Sequence, residues 1–232
     1  MIVALDVDSA AEARRLADIL RGTVGAFKIG SRLFTAEGPA FVRELTARGD
    51  RVFLDLKFHD IPNTVGGAVE AATRLGVWMV NVHAAGGRDM MLAARDAADR
   101  ASAHIGTEPP LVIAVTVLTS LSATSLRETG VEGEPLAQVR RLAVLTRDSG
   151  LDGVVASPLE IAAVRDACGE RFRVVTPGIR GPLDTRGDQA RTLSPREAVA
   201  GGASYIVVGR PIIGAPDPRA AAQSVVEELK GV

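Results

Sequence analysis

Eight short runs rich in β-branched residues, spaced by segments of helical period, constrain this chain more than any other feature. The runs fall at residues 2–7, 25–30, 51–57, 77–83, 111–119, 153–157, 172–179 and 204–210. Between them lie Ala-, Arg- and Glu-rich segments of helical period, at 10–20, 64–75, 89–101, 136–149, 158–167, 194–200 and 218–230. Strands that are apolar almost throughout are buried on both faces, so regular alternation with helices predicts a parallel sheet covered by helices. Eight such units in 232 residues suit one closed (β/α)8 TIM barrel, a single α/β domain over residues 1–232. An open doubly wound sheet ranks lower, because no Gly-x-Gly-x-x-Gly follows the first run.

Composition narrows the function classes. A hydrophobic content of 47% supports a sizeable core. The 27 basic and 28 acidic residues are interspersed and leave a net charge of -1, which points to no nucleic-acid partner and no membrane surface. Any phosphate site must therefore be local. The single Cys168 excludes an internal disulfide and a thiolate metal cluster and fits a reducing cytoplasm. No apolar run reaches the roughly 18 residues that a membrane span needs, and the N-terminus enters a strand without a basic leader. The expectation is a soluble cytoplasmic protein.

In such barrels the chemistry gathers at the C-terminal ends of the strands. Here those ends are polar: Asp6 near the end of the first run, Lys28 in the second, Asp55 and Lys57 in the third, Asn81 and His83 in the fourth, Thr119 and Ser120 at the end of the fifth, Arg180 after the seventh and Arg210 at the eighth. The stretch Asp55-Leu56-Lys57-Phe58-His59-Asp60 is the densest. A strand's period of two puts Asp55 and Lys57 on one face, which in a barrel is the interior. A plainer reading is a surface ion pair with Asp60 capping a helix that starts at Pro62. Charges delivered to one rim by five strands favour an active site over it. His59, His83 and Trp78 read as structural supports, and Cys168 as a small apolar helix residue.

The segments Ala4-Leu5-Asp6, Phe27-Lys28-Ile29-Gly30, Asp55 through Thr64, Val115 through Ser120, Thr176-Pro177-Gly178-Ile179-Arg180 and Val208-Gly209-Arg210-Pro211-Ile212 resemble, in order and spacing, the motifs of the orotidine 5'-phosphate decarboxylases of short bacterial type. The resemblance runs from the first strand to the last. It implies decarboxylation of orotidine 5'-phosphate to UMP in pyrimidine biosynthesis, with no metal and no organic cofactor. It also implies that Lys57 protonates a carbanion-like C6, that Asp55 stands beside the departing carboxylate, and that Asp6 and Lys28 bind the ribose. By the same resemblance Thr119 contacts the pyrimidine, and Arg180, Gln189, Gly209 and Arg210 hold the phosphate end. The polar segment 181–192 reads as a lid carrying Gln189. The family further implies that Ile61 binds substrate, and a homodimer in which Asp60 and Thr64 reach the neighbour's site.

Two other readings are open to such a barrel. Metal-dependent sugar-phosphate decarboxylases and synthases share the Asp-x-Lys-x-x-Asp pattern but carry an acidic metal ligand on the second strand, where this chain has Lys28, and an ammonium cannot ligate Mg2+. A non-catalytic phosphate-binding barrel would have no need of Asp55, Lys57 and Asp60 together near an anionic ligand.

Overall fold

The computed structural model describes residues 1–179 and 193–230. Eight parallel strands, β1 (Ile2–Ala4), β2 (Ala26–Gly30), β3 (Val52–Phe58), β4 (Met79–His83), β5 (Leu111–Val115), β6 (Gly153–Val155), β7 (Arg173–Thr176) and β8 (Tyr205–Val208), close into a barrel in sequence order. The ring is sealed by β1 pairing with β8, Ile2 opposite Val207 and Val3 opposite Val208. Ten helices are described: α1 (Ala10–Leu20), α2 (Ser31–Ala47), α3 (Pro62–Arg74), α4 (Gly87–Ile105), α5 (Ala123–Glu128), α6 (Pro135–Asp148), α7 (Ile161–Cys168), α8 (Pro195–Ala200), α9 (Arg210–Ile213) and α10 (Pro218–Leu229). Among the described residues no helix is long and apolar enough to cross a membrane.

Helix α1 shows how sequence sets such a unit. Ser9 caps it by accepting the Glu12 N–H, and Ala13, Leu16, Ala17 and Leu20, at helical spacing, are buried. Full burial of Leu16 and Leu20 stabilises the fold by about 2 kcal/mol each. The same division holds around the ring. Residues of one parity, among them Ile2, Phe53, Met79, Ile113, Val175 and Val207, fill the barrel interior, while the other parity packs under the helices.

The structure corrects several boundaries. Most strands are shorter than the apolar runs, because their last residues leave the ladder at the rim: β5 stops at Val115 and β8 at Val208, so Arg210 opens α9 instead of ending a strand. Helix α2 occupies a segment that carries no clean helical period. Gly38 sits at φ 68° before Pro39 and kinks it, since the residue preceding a proline avoids the right-handed helical region. Asp60 does not cap α3. The cap position is Ile61, and Asp60 Oδ1 instead accepts the adjacent Ile61 N–H at 2.6 Å.

Candidate active site

A cavity of about 440 Å³ opens at the C-terminal end of the barrel. Its floor is apolar, formed by Ala4, Phe53, Val115, Val155, Val175 and Val207, and its walls carry Asp6, Lys28, Asp55, Lys57, Thr119, Gly209 and Arg210. The charged residues form a chain of alternating sign. Lys28 Nζ donates to Asp6 Oδ1 at 3.1 Å and lies 3.3 Å from Asp55 Oδ2, while Lys57 Nζ donates to Asp55 Oδ1 at 2.7 Å. The parity that sends Leu54, Leu56 and Phe58 to the helix side sends Asp55 and Lys57 into this cavity.

Local backbone features make the chain of charges fit. Gly30 pairs with Asp55 across β2 and β3, and a Cβ at Gly30 would stand 3.1 Å from Lys28 Nζ and 3.5 Å from Asp6 Oδ1. Glycine leaves the ammonium room to rise between its two carboxylates. Lys57 has φ 53°, and it alone among the non-glycine described residues has positive φ. That conformation costs a side-chain-bearing residue roughly 1–2 kcal/mol, so the surroundings must hold it. Part of that support is Asn81, fully buried on β4, whose Oδ1 accepts the Lys57 N–H at 2.8 Å and whose Nδ2 donates to Asp55 Oδ1 at 2.7 Å.

Electrostatics follow from this packing. Burial by itself lowers the pKa of Lys28, but Asp55 and Asp6 outweigh it and hold the ammonium above the ordinary lysine value. Lys28 is therefore charged throughout the neutral range. Burial pushes the His83 imidazole below its usual range, helped by the nearby charges of His59 and Lys57. The His59 and His83 rings lie 5.4 Å apart, tilted by 34°.

The residues expected at the site separate into three groups. Asp6, Lys28, Asp55, Lys57, Thr119, Gly209 and Arg210 come together in the cavity. Asp60, Ile61 and Thr64 are exposed on the β3 to α3 connection and the first turn of α3, outside the described lining of the cavity, with Ile61 at 67% exposure. Arg180, Gln189 and the expected lid, 181–192, lie outside the described residues. Two further residues contribute, to which the sequence assigned no role. Arg32, early in α2, lines the cavity and pairs with Asp8. Asn81 supports Lys57 from behind, and its signal is a lone amide at inward parity in Met79-Val80-Asn81-Val82-His83.

Fold and site together define a (β/α)8-barrel enzyme, in which an ammonium is aimed into a strand-end cavity by flanking carboxylates. The comparisons with known proteins agree on its kind. The model of the orotidine 5'-phosphate decarboxylase / HUMPS family matches residues 1–225. The orotidine 5'-phosphate decarboxylase of Moorella thermoacetica is 55% identical over 233 residues, covering 100% of this chain and 92% of its own length. That of Alkalilimnicola ehrlichii is 54% identical, covering 99% of this chain and 95% of its own. The crystal structure of the Lactobacillus acidophilus orotidine 5'-phosphate decarboxylase superposes with a TM-score of 0.85 at 39% identity, covering 99% of this chain and 98% of that one. The chain belongs to the orotidine 5'-phosphate decarboxylase / HUMPS family.

Proposed function

We infer that this protein decarboxylates orotidine 5'-phosphate to UMP in pyrimidine biosynthesis, with Lys57 as the proton donor. The observation that carries the reading is the Lys28, Asp55, Lys57 array standing in one strand-end cavity on a sequence about half identical to decarboxylases of this name. In the reaction the bond from C6 to the carboxylate breaks and its electron pair stays on C6. Carbon dioxide leaves and Lys57 Nζ delivers a proton to C6, leaving a neutral amine that solvent recharges. An ammonium fixed before the reaction stabilises negative charge as it develops, which lowers the barrier without tightening the ground state. Asp55 repels the departing carboxylate: two like charges about 4 Å apart at an effective dielectric near 20 interact by roughly 4 kcal/mol.

Asp6 and Lys28 serve the ribose, Thr119 the pyrimidine, and Gly209 and Arg210 with Arg180 and Gln189 the phosphate. The last two strand ends of a barrel are a common phosphate cradle. Lys28 also disfavours the metal-dependent sugar-phosphate reading, since its ammonium occupies the space between the two nearest carboxylates. The whole chain acts as one barrel unit in a cytoplasm that suits the free Cys168. It works as a homodimer in which exposed Asp60, Ile61 and Thr64 complete the partner's site.

The test is conversion of orotidine 5'-phosphate to UMP, followed by loss of the substrate's ultraviolet absorbance and identification of the product. Activity should survive exhaustive EDTA treatment. Lys57→Ala should abolish turnover with an unchanged circular dichroism spectrum. Retention of more than about a tenth of wild-type kcat, a barrier change under about 1.4 kcal/mol, would remove Lys57 from the role of proton donor.

A further inference from the structure

The pairing of β3 with β4 contains an irregularity centred on the reacting groups. Leu54 pairs with Val80, yet the next pair is Phe58 with Val82. Three residues of β3, namely Asp55, Leu56 and Lys57, thus face the single residue Asn81 of β4. A regular ladder cannot span that mismatch, and the backbone donors it frees need other partners. The Lys57 N–H finds one in the Asn81 side chain, at 2.8 Å.

That side chain makes a second bond, to Asp55 Oδ1, the same oxygen that receives Lys57 Nζ. The result is a closed ring running from the Lys57 backbone through the Asn81 amide to Asp55 and back through the Lys57 ammonium. The amide orientation follows from the partners: a backbone N–H can only donate and an ionised carboxylate can only accept, so oxygen must face Lys57 and nitrogen Asp55. Among side chains of this length only a carboxamide, or a protonated carboxylic acid, offers a neutral acceptor and donor on one plane. Asn81 is fully buried and pairs on its far side with Ile113 of β5. It is not among the described residues lining the cavity, so it acts through Lys57 and Asp55.

We propose that Asn81 is a positioning residue for decarboxylation, whose carboxamide locks the left-handed Lys57 backbone and the Asp55 carboxylate into one rigid unit that aims the ammonium. The proposal rests on Lys57 being the proton donor. Small misplacements of a reacting group can cost on the order of a hundredfold in rate, which is why support behind the reacting pair has kinetic consequences.

The experiment compares kcat and KM for orotidine 5'-phosphate across pH in the wild type, Asn81→Leu, Asn81→Asp and Lys57→Ala, with circular dichroism of each. Asn81→Leu keeps the branched outline of the side chain, at a larger volume, and removes both bonds, so kcat should fall by about 10- to 1000-fold while KM stays within roughly threefold. Asn81→Asp is the sharper variant. Its new carboxyl reproduces both bonds when protonated and opposes Asp55 when ionised, so its kcat should fall as pH rises through a limb that the wild type lacks. Near the new group are Asp55 and Lys57 on β3, His83 on β4, His59 on the adjoining loop, and Lys28 of β2 acting through Asp55, whereas Ile113 and Val115 of β5 are uncharged. Those groups are shared with the wild type, and the difference between the two profiles isolates position 81. The proposal is overturned if Asn81→Leu is folded and keeps kcat within threefold, if its loss lies in KM, or if the Asn81→Asp profile parallels the wild type. Should Asn81→Leu fail to fold, the Asn81→Asp profile decides alone. An active Lys57→Ala would instead bring down the proton-donor reading itself, a result distinct from an inactive Lys57→Ala beside wild-type-like Asn81 variants.

Discussion

At the scale of single residues, the site is a set of costs that offset one another. Lys28 loses hydration but gains two carboxylates, and Lys57 accepts a left-handed backbone in return for its place on Asp55. These charged positions were legible in the sequence, because strict alternation along β3 sends Asp55 and Lys57 the same way. The parts played by Gly30 and Asn81 were not, since each depends on a cross-strand neighbour: the free space at Gly30 matters only because Lys28 rises past it. Arg210, exposed at the rim, belongs to the proposed phosphate cradle. A planar guanidinium recognises a phosphate through paired charge-assisted hydrogen bonds. Arg210→Ala should therefore reduce kcat/KM for orotidine 5'-phosphate by more than tenfold and leave the slow reaction of the phosphate-free nucleoside nearly unchanged. Equal proportional losses on the two substrates would show that Arg210 does not serve the phosphate.

At the scale of elements, the connections hold as much information as the strands. Arg165 on α7 donates through Nε and Nη2 to the Gly202 carbonyl, through Nη1 to the Gly169 and Glu170 carbonyls, and through Nη2 to Ser204 Oγ. One side chain thereby ties the turn entering β7 to the turn entering β8. Hydrogen bonds from a charged donor are worth about 1.5–3 kcal/mol, and carbonyls left without partners add to the loss. We expect Arg165→Ala to cost about 2–3 kcal/mol and to lower Tm by roughly 5–10 °C for a chain of this size, with little effect on kcat at 25 °C. A Tm within about 1 °C of wild type in a thermal melt would rule the clamp out. Nothing in the local sequence marks Arg165 as different from its neighbours on a helix of ordinary amphipathic pattern. Helix α2 was likewise hidden, because Gly38 and Pro39 interrupt the period from which a helix is read.

At the scale of the whole molecule, the barrel gathers most of the expected site residues into one cavity and leaves Asp60, Ile61 and Thr64 facing outward beside it. The 67% exposed Ile61, next to the strand that carries Asp55 and Lys57, lies on the surface that the proposed dimer would cover. Mixing inactive Lys57→Ala and Asp60→Ala chains under exchange conditions tests the shared site. If Asp60 crosses the interface, each mixed dimer has one site with both lesions and one with neither. Random pairing then restores up to about a quarter of wild-type activity. A preparation shown to contain mixed dimers, yet as inactive as its parents, would confine Asp60 to its own barrel and leave the decarboxylase reading intact.

By itself the sequence determined the order of the eight strands and most of the helices between them, the inward parity of Asp55 and Lys57, and the family to which these motifs belong, because each rests on periodicity or on residues close together in the chain. Tertiary structure decided the rest. The salt bridges joining Asp6, Lys28 and Asp55 connect the segment after β1 to β2 and β3, and the Asn81 bond to Lys57 arises from a two-residue mismatch between β3 and β4. Such contacts depend on which residues face each other once the sheet has closed. Register between strands is fixed by packing over the entire barrel, and no local stretch of sequence encodes it.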